Sequence, residues 1–367
     1  DLHKEYRRQR QMCIRDSSRA MTGTRTFIGA TVQAIQLDPT NSADDVTILL
    51  VDNNGDQSAV STLNTIMTDA GFSSRGTNDD WETEGRDRES MELPGDQSEL
   101  IRRVCAANIR TAVVVNAGSV VTMDWADSAP AVLQSWFGGQ EMGDALVDVL
   151  FGDAEPGGRL PTTVPHRLLD TPAFTNYPGE AGRVHYGEGV FVGYRWYEAR
   201  DVDVAYPFGH GLGYTTFEWG AARLGAAPST TALLAGETAA VTVVVTNTGD
   251  RPGSEVVQCY VAHLEPAVAR PPQELRGFAK VHLEPGESTE VVIELDHRAF
   301  AYWDPADPGY ADRNHRVPVA AGGGHVGHRA EPGWYADLGD YEVRPVSYTH
   351  LRAHETDSYL VCRLLLE

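Results

Sequence analysis

The sequence predicts an α/β domain with a mostly parallel sheet, followed by a small antiparallel β-sandwich. In the first half, short apolar runs typical of buried strands alternate with apolar residues at helical spacing, which is the pattern of a parallel sheet covered by helices. After about Tyr214, short runs with β character are separated by Asn-Thr-Gly and Pro-Gly-Glu turns, as in β-sandwiches. The length of 367 residues, of which 41% are apolar, is sufficient for two or three packed domains.

The first predicted element is a strand over Val46–Val51, because this run is short, apolar and rich in β-branched residues. The next segment has apolar residues at helical spacing, and Gly71 can end that helix. These residues are Val60, Leu63, Ile66 and Met67. The two elements together predict a βα unit.

A second helix is predicted to begin after Asp96, which can act as its N-cap with Glu99 three residues later. Its apolar face is formed by Leu100, Ile101, Val104 and Cys105. The following "TAVVVNAG" predicts a buried strand, and a third helix with the same kind of apolar face ends at Gly152. That face consists of Met142, Ala145, Leu146, Val149 and Leu150.

The second half of the chain predicts strands in "AAVTVVVTNTGD", "EVVQCYVAH", "FAKVHLEPGESTEVVIELD" and "GDYEVRP". Between the two domains lies a segment rich in Gly, Tyr, Phe and Trp. So many aromatic residues predict an ordered connector that packs on both domains, unlike a flexible linker. The Gly-, His- and Asp-rich segment Asp304–Pro332 is expected to be an exposed loop.

The formal net charge of −22 disfavours nucleic acid and anionic membrane surfaces as partners, and is compatible with a neutral substrate such as a sugar. No apolar run approaches the length of a membrane span. The N-terminal sequence has no apolar core segment of a signal peptide, so a bacterial cytoplasmic location is favoured over secretion. The oligomeric state is not indicated.

The four cysteines are far apart and include no CxxC pair, so they predict neither a zinc site nor a disulfide framework. Cys105 and Cys259 are interpreted as small core residues. Both ends differ in texture from the lysine-poor interior and resemble translated adaptor sequence. We therefore exclude residues 1–17 and 346–367 from the fold prediction.

Several motif-like strings do not indicate a site. Asp52, Asn54 and Asp56 begin like a calcium loop, but Leu63 stands where a bidentate glutamate belongs. The His-rich segment around residues 315–328 lacks a rigid frame for a metal. "GHGLG" is only weakly similar to a nucleotide-binding loop, and no P-loop is present. No metal or cofactor is expected.

The stretch Asp79–Gly95, "DDWETEGRDRESMELPG", combines seven carboxylates with two arginines and one tryptophan. A large ring is unusual in a solvated charge run, because it needs a surface to pack on. The stretch lies between a βα unit and a helix, where α/β proteins commonly place their sites. On the residues alone, a solvated loop remains the alternative.

The chain from about Trp81 to Val343 resembles glycoside hydrolase family 3, the family of many β-glucosidases. "WETEGRDRESMELPGDQSEL" through "GGRLPTTVP" is similar to the family's second, α/β-sandwich domain. "YGEGVFVGYRWYE" and "YPFGHGLGYTTF" are similar to its connector. "VTNTGDRPGSEVVQCYVAH", "RPPQELRGFAKVHLEPGES" and "DHRAFAYWD" are similar to its fibronectin type III-like domain.

The resemblance implies the roles of individual residues. The glutamate just before the Gly-x-Asp-Arg motif is the family's acid/base, which here is Glu84, with Glu82 as the fallback. Trp81 is expected to line the sugar site. Three residues are expected to organise the loop: Arg86, Asp87 and Arg88.

The resemblance also implies what the chain lacks. The family's nucleophilic aspartate belongs to an N-terminal TIM barrel, and no eightfold βα series precedes Asp79. Asp124 in "MDW" matches a strand-end segment of the second domain, so it is not interpreted as the nucleophile. The chain is expected to carry half of an active site and to be inactive alone.

The predicted function is therefore the C-terminal part of a retaining β-glucosidase that acts on a β-linked glucoside. A β-xylosidase of the same family and a non-catalytic carbohydrate-binding or structural module remain alternatives. The expected division is a foreign end over 1–17, an uncertain βα segment over 18–80, the α/β-sandwich domain over 81–165, the connector over 166–235, the fibronectin-like domain over 236–345 and a foreign end over 346–367.

Overall fold

The computed structural model describes residues 32–36, 47–52, 90–93, 95–136, 138–139, 141–226, 228–266, 268–304, 333–346 and 362–366. Its helices are α1 (Gln97–Ala107), α2 (Met142–Phe151), α3 (Tyr194–Arg200), α4 (Thr230–Leu234) and α5 (His297–Phe300). Its strands are β1 (Val32–Gln36), β2 (Thr47–Asp52), β3 (Thr111–Asn116), β4 (Ala131–Gln134), β5 (Val164–Pro165), β6 (Val204–Tyr206), β7 (Phe217–Trp219), β8 (Arg223–Leu224), β9 (Ala239–Asn247), β10 (Gly253–His263), β11 (Glu274–Leu283), β12 (Ser288–Leu295), β13 (Tyr302–Asp304), β14 (Gly333–Tyr335), β15 (Gly339–Val346) and β16 (Cys362–Leu366).

The chain forms two compact units. The first unit comprises Asp1–Ala154 and Val164–Thr171, and the second comprises Glu155–Thr163 and Pro172–Glu367. The short segment Glu155–Thr163 therefore belongs with the C-terminal half of the chain, although it lies within the sequence of the first unit.

The first unit contains the predicted mostly parallel sheet, with strand order β1-β2-β3-β4. β2, β3 and β4 run parallel, and β1 is an antiparallel edge strand. The β-branched run of β3 is buried, as is the predicted face of α1 at Leu100, Ile101 and Cys105. The α/β prediction is confirmed, although the sequence analysis did not identify the short strands β1 and β4.

The predicted capping of α1 by Asp96 is wrong. Asp96 stands at the N-cap position, but its side chain makes no capping hydrogen bond. Its backbone (φ −94°, ψ 18°) is outside the extended region that turns an N-cap side chain back toward the first amides. Glu99 instead accepts a hydrogen bond from Arg103 one turn later, at 2.8 Å. At the end of α2, Gly152 is in the left-handed conformation (φ 84°), as its predicted role in ending the helix requires.

The second unit is a β-sandwich of two antiparallel sheets, ordered β11-β10-β15-β16 and β12-β9-β7, with β8 also paired to β9. Alternate residues of β9 are buried, and they pack on inward-facing residues of β10, β12 and β15 to form the core. Cys259 lies in this core, so both cysteines interpreted as core residues are buried. The C-terminal segment that was left out of the fold prediction contributes β16, which pairs with β15.

The connector is ordered and covers the outer face of β10. The ring of Tyr194 on α3 stacks on Phe208 at 4.9 Å and meets Tyr260 of β10 edge-on at 5.8 Å. The Tyr194 hydroxyl also accepts a hydrogen bond from the amide of Leu275, at 2.8 Å. β10 is consequently covered on both faces, in agreement with the burial of nine of its eleven residues.

The "GHGLG" string is part of this packing. Gly209 has a positive φ of 81°, and a β-carbon there would lie 2.2 Å from the side-chain oxygen of Gln258 on β10. The Gly209 carbonyl instead accepts a hydrogen bond from the Gln258 side chain, at 3.0 Å. The glycine is thus needed for close approach to the sandwich.

A buried ion pair ties the segment Glu155–Thr163 to the sandwich. Arg159 donates to Glu255 of β10 at 2.9 Å, and the two side chains are only 9% and 1% exposed. Leu160 also exchanges backbone hydrogen bonds with Gly209 and His210, each at 2.8 Å. Because both charges are buried, removing either partner would leave the other uncompensated.

Candidate functional site

The candidate site is the carboxyl edge of the parallel sheet in the first unit. Strands β2, β3 and β4 end there at Asp52, Asn116 and Gln134, respectively. Open α/β sheets bind ligands outside the carboxyl ends of their strands, so this edge is where the acidic stretch is expected to act.

The residues that the sequence analysis assigned to the site lie outside the described residues. This applies to all six of them: Trp81, Glu82, Glu84, Arg86, Asp87 and Arg88. The described structure begins again at Ser90, inside the same acidic stretch. It therefore locates the end of the stretch, and the roles of these six residues stay predictions.

The end of the acidic stretch is attached to the segment that follows β3. The carbonyl oxygen of Met91 accepts hydrogen bonds from the backbone amide of Thr122 at 2.7 Å and from its hydroxyl at 3.4 Å. Leu93 and Thr122 are both buried. Seven positions of chain separate Glu84 from Met91. The fixed end of the acidic stretch thus lies in the same unit as the carboxyl edge of the sheet, beside the segment that leaves β3.

The segment that holds Met91 is itself firmly packed. Val121, Met123 and Trp125 are buried, whereas Asp124 between them is exposed and pairs with Arg102 of α1. Thr122 is buried as well, so Asp124 is the one side chain of the run 121–125 that is exposed. Asp124 is therefore a surface residue in an ion pair with the neighbouring helix.

Some neutral polar atoms of the first unit are buried without a hydrogen-bond partner among the described residues. Examples are Oδ1 of Asn116, Nε1 of Trp125 and Nε2 of Gln134. Such atoms are rare in folded proteins and each needs an explanation. Sequence reasoning did not identify them, because an asparagine after "VVV" carries no sign of whether its amide is paired.

The clearest pKa shifts of carboxyl and imidazole groups in the described chain lie in the β-sandwich. Burial raises the pKa of Glu274, but hydrogen bonding to Arg270 and the charges of Arg276, Arg270 and Arg195 outweigh it, so the net pKa is lowered. Glu274 is thus an ionised anchor for three arginines, with distances of 2.7 Å to Arg270, 2.9 Å to Arg276 and 3.5 Å to Arg195. This network is structural, since every partner is a protein group.

The described residues contain no group of three or more His, Cys, Asp or Glu side chains arranged to hold a metal ion. They also contain no helix that is both long and apolar enough to cross a membrane.

Comparison with known proteins gives the same order of domains. Residues 33–214 match the glycosyl hydrolase family 3 C-terminal domain, and residues 255–321 match the fibronectin type III-like domain. The chain is 46% identical over 254 residues to probable β-glucosidase I of Aspergillus clavatus, covering 68% of this chain and 30% of that protein. It is 47% identical over 233 residues to a β-glucosidase of Rhizobium radiobacter, covering 62% of this chain and 28% of that protein.

Solved structures agree. The family 3 β-glucosidase of Bifidobacterium adolescentis superimposes with a TM-score of 0.64 at 40% identity, over 77% of this chain and 37% of that one. The Kluyveromyces marxianus β-glucosidase in complex with glucose gives 0.63 at 40% identity, over 78% of this chain and 30% of that one. The chain thus spans about a third of the length of the proteins it matches. It belongs to glycosyl hydrolase family 3, of which it carries the C-terminal α/β domain followed by the fibronectin type III-like domain.

Proposed function

We propose that the chain is the C-terminal part of a retaining β-glucosidase and that it supplies the acid/base carboxylate, Glu84. The observation that carries the proposal is the 46% identity over 254 residues to a probable β-glucosidase. The matches to both family domains, in this order along the chain, support it. The complex of the Kluyveromyces marxianus β-glucosidase with glucose supports a glucoside as the substrate.

The proposed chemistry needs two carboxyl groups. In a retaining glycosidase, one attacks the sugar and the other, about 5 to 5.5 Å away, protonates the departing oxygen and later deprotonates water. Glu84 takes the second role. Its pKa must rise toward roughly 6 to keep the proton near neutral pH. A loop that is buried when substrate binds would provide this rise by desolvation.

The attachment of Met91 to Thr122 supports this role. A loop that carries a catalytic acid needs a fixed end, so that closure returns the carboxyl group to the same place. Thr122 provides that end through its backbone amide. This hydrogen bond does not depend on the side chain, so among the standard residues only proline at position 122 would remove it. Its buried side chain adds a second donor.

The nucleophile is proposed to come from a domain that this chain does not contain. Exposed apolar residues of the connector support such a partner, since large exposed apolar surfaces usually mark interfaces. Tyr186 is 82% exposed, and Val190 and Val192 are about half exposed. All three lie in the resemblance segment "YGEGVFVGYRWYE".

The proposal is tested in a chimera that joins this chain to the preceding part of the Rhizobium radiobacter β-glucosidase. Glu84→Gln should lower turnover of alkyl glucosides by roughly 100- to 10,000-fold, because a basic leaving oxygen needs protonation. Aryl glucosides with acidic leaving groups should lose far less. Azide should restore activity on these activated substrates, since it attacks without a general base.

Glu82→Gln is the matched control, two positions away in the same loop. It should affect all substrates alike and should not respond to azide. If Glu82→Gln instead gave the leaving-group dependence, the acid would be Glu82. The chain without the added domain should hydrolyse aryl β-glucosides negligibly, because the double displacement cannot begin without a nucleophile. Ordinary turnover by the chain alone would contradict the proposed division of the site.

A further inference from the structure

Two tryptophans lie side by side on the surface of the fibronectin-like domain. Strands β13 and β14 form a two-stranded antiparallel ribbon in which Trp303 is directly opposite Trp334. Their ring centroids are 5.7 Å apart and the planes meet at 69°. Trp303 is 52% exposed and Trp334 is 43% exposed.

The ribbon presents this pair outward and holds it in place. Tyr302, beside Trp303 on the other face of β13, is half-buried and lies under the guanidinium group of Arg270, at 5.8 Å from the ring centre. The guanidinium group of Arg298, on α5, lies 4.3 Å from the centre of the Trp334 ring. A cation in this position fixes the ring and places N–H donors beside it.

Stability of the ribbon does not by itself require two exposed indoles. A cross-strand pair contributes about 0.2 to 1 kcal/mol, and β-branched or smaller aromatic residues provide this too. Exposing two large rings next to each other is unfavourable in water, and exposed apolar patches in folded proteins commonly mark binding sites. A binding role explains why two indole side chains are exposed side by side, whereas the stability of the ribbon does not.

The chemistry of the pair selects the ligand. The two indoles meet at 69°, so each offers a ring face of its own to a ligand with flat apolar faces, and the guanidinium group beside Trp334 suits a ligand with hydroxyl acceptors. The net charge of −22 disfavours anionic ligands. A β-linked glucose unit meets these conditions, because its hydroxyls are equatorial and leave C–H groups on both faces of the ring.

We propose that Trp303, Trp334 and Arg298 form a binding site for a chain of β-linked glucose units. The choice of glucose rests on the proposed function, whereas the stacking site itself depends only on the ribbon. Binding at this position would hold an oligosaccharide or an insoluble glucan on the protein.

The test uses the full chain and needs no catalysis. The chain is run through native gels that contain laminarin or hydroxyethylcellulose and is titrated with cellohexaose while tryptophan fluorescence is followed. We expect retardation and quenching for the natural chain. Trp303→Ala and Trp334→Ala should each lose the retardation, and their affinity for cellohexaose should fall at least about tenfold, which corresponds to 1.4 kcal/mol. Trp303→Tyr should retain part of the binding, because a smaller ring still stacks.

Phe278→Ala is the matched control, since Phe278 is 71% exposed on β11 of the same domain. It should bind like the natural chain. Thermal unfolding of each variant shows whether the domain is intact. The proposal is wrong if the natural chain is not retarded, if Trp303→Ala and Phe278→Ala behave alike, or if only arabinoxylan causes retardation.

The outcome is independent of Glu84. Retardation and quenching are measured on the chain alone and need no turnover, so failure of the acid/base proposal and failure of the glucan site give different results.

Discussion

Two buried asparagines, each the last residue of a strand, differ in how their side chains are paired. Asn247 ends β9 in the sandwich and makes four side-chain hydrogen bonds. Its Nδ2 donates to the carbonyls of Arg251 at 2.7 Å and Leu283 at 2.9 Å. Its Oδ1 accepts from the hydroxyl of Thr215 at 2.6 Å and the amide of Gly249 at 3.0 Å.

Asn116 ends β3 in the α/β unit, and its Oδ1 has no partner in the part of the chain that the structure describes. Both side chains are buried. An asparagine amide offers two donors and one acceptor with two lone pairs, so Asn247 uses its full capacity and Asn116 does not. The difference indicates that Asn247 serves the fold, whereas none of the described residues pairs with Oδ1 of Asn116.

The largest expected effect is that of Asn247→Ala. The substitution leaves the buried carbonyl of Leu283 and three part-buried groups (the Arg251 carbonyl, the Thr215 hydroxyl and the Gly249 amide) without their partner, and each loss costs about 1 kcal/mol. We expect the free energy of unfolding of the sandwich to fall by about 4 kcal/mol. Hydrogen exchange of the β9 and β10 amides measures this directly. A loss below about 1 kcal/mol, the value of an ordinary substitution, would show that the four hydrogen bonds of the Asn247 side chain contribute little to the stability of the sandwich.

An intermediate effect is expected at His263, whose Nδ1 has no hydrogen-bond partner among the described residues. The ring lies edge-on to Tyr341 at 4.4 Å. Burial lowers the pKa of His263, helped by the charge of Arg270, and this outweighs the Leu338 carbonyl and the charges of Asp337 and Glu265, which raise it. The unfolded chain therefore binds the proton more readily than the folded chain does.

The contribution of His263 to the free energy of unfolding of the sandwich should consequently be fully present above the ordinary histidine pKa of about 6.5. It should be lost as the pH drops below that value. His263→Phe should remove this part of the pH dependence. Urea unfolding at pH 7.5 and pH 5.5 compares the two proteins. An equal loss of stability in both would assign the dependence to other groups.

The smallest effect is expected for Asn116→Ala. Because Oδ1 has no described partner to lose, the free energy of unfolding should change by no more than about 1 kcal/mol. Hydrogen exchange of the β3 amides gives the value. A loss as large as that of Asn247→Ala would mean that Asn116 is fully paired in solution, and the contrast between the two residues would disappear.

Local patterns were sufficient for much of the fold. The apolar runs and helical spacing identified β2, β3, α1 and α2, and period-two alternation identified the sandwich strands. The pattern did not identify β4, because four residues after a proline are too short a run. Nor did it show that Asp96 would leave α1 uncapped, since that depends on backbone angles at one residue.

The site was less accessible to sequence reasoning. Glu84 and its neighbours were identified from the resemblance to a known family. The spacing of apolar residues alone would not have distinguished this stretch from a solvated loop. The unpaired amide of Asn116 and the paired indoles of Trp303 and Trp334 depend on which residues meet in space. Residues 31 positions apart become neighbours across β13 and β14, and no local pattern encodes this.

The ion pair between Arg159 and Glu255 has a consequence for the order of synthesis. The two residues are 96 positions apart, so Arg159 is synthesised long before Glu255, its ion-pair partner on β10. Until β10 emerges, the segment Glu155–Thr163 has no buried place to occupy. The sandwich must then bind a segment of chain that was made earlier, and a transplanted domain that begins at the connector would leave the buried side chain of Glu255 without its ion-pair partner Arg159.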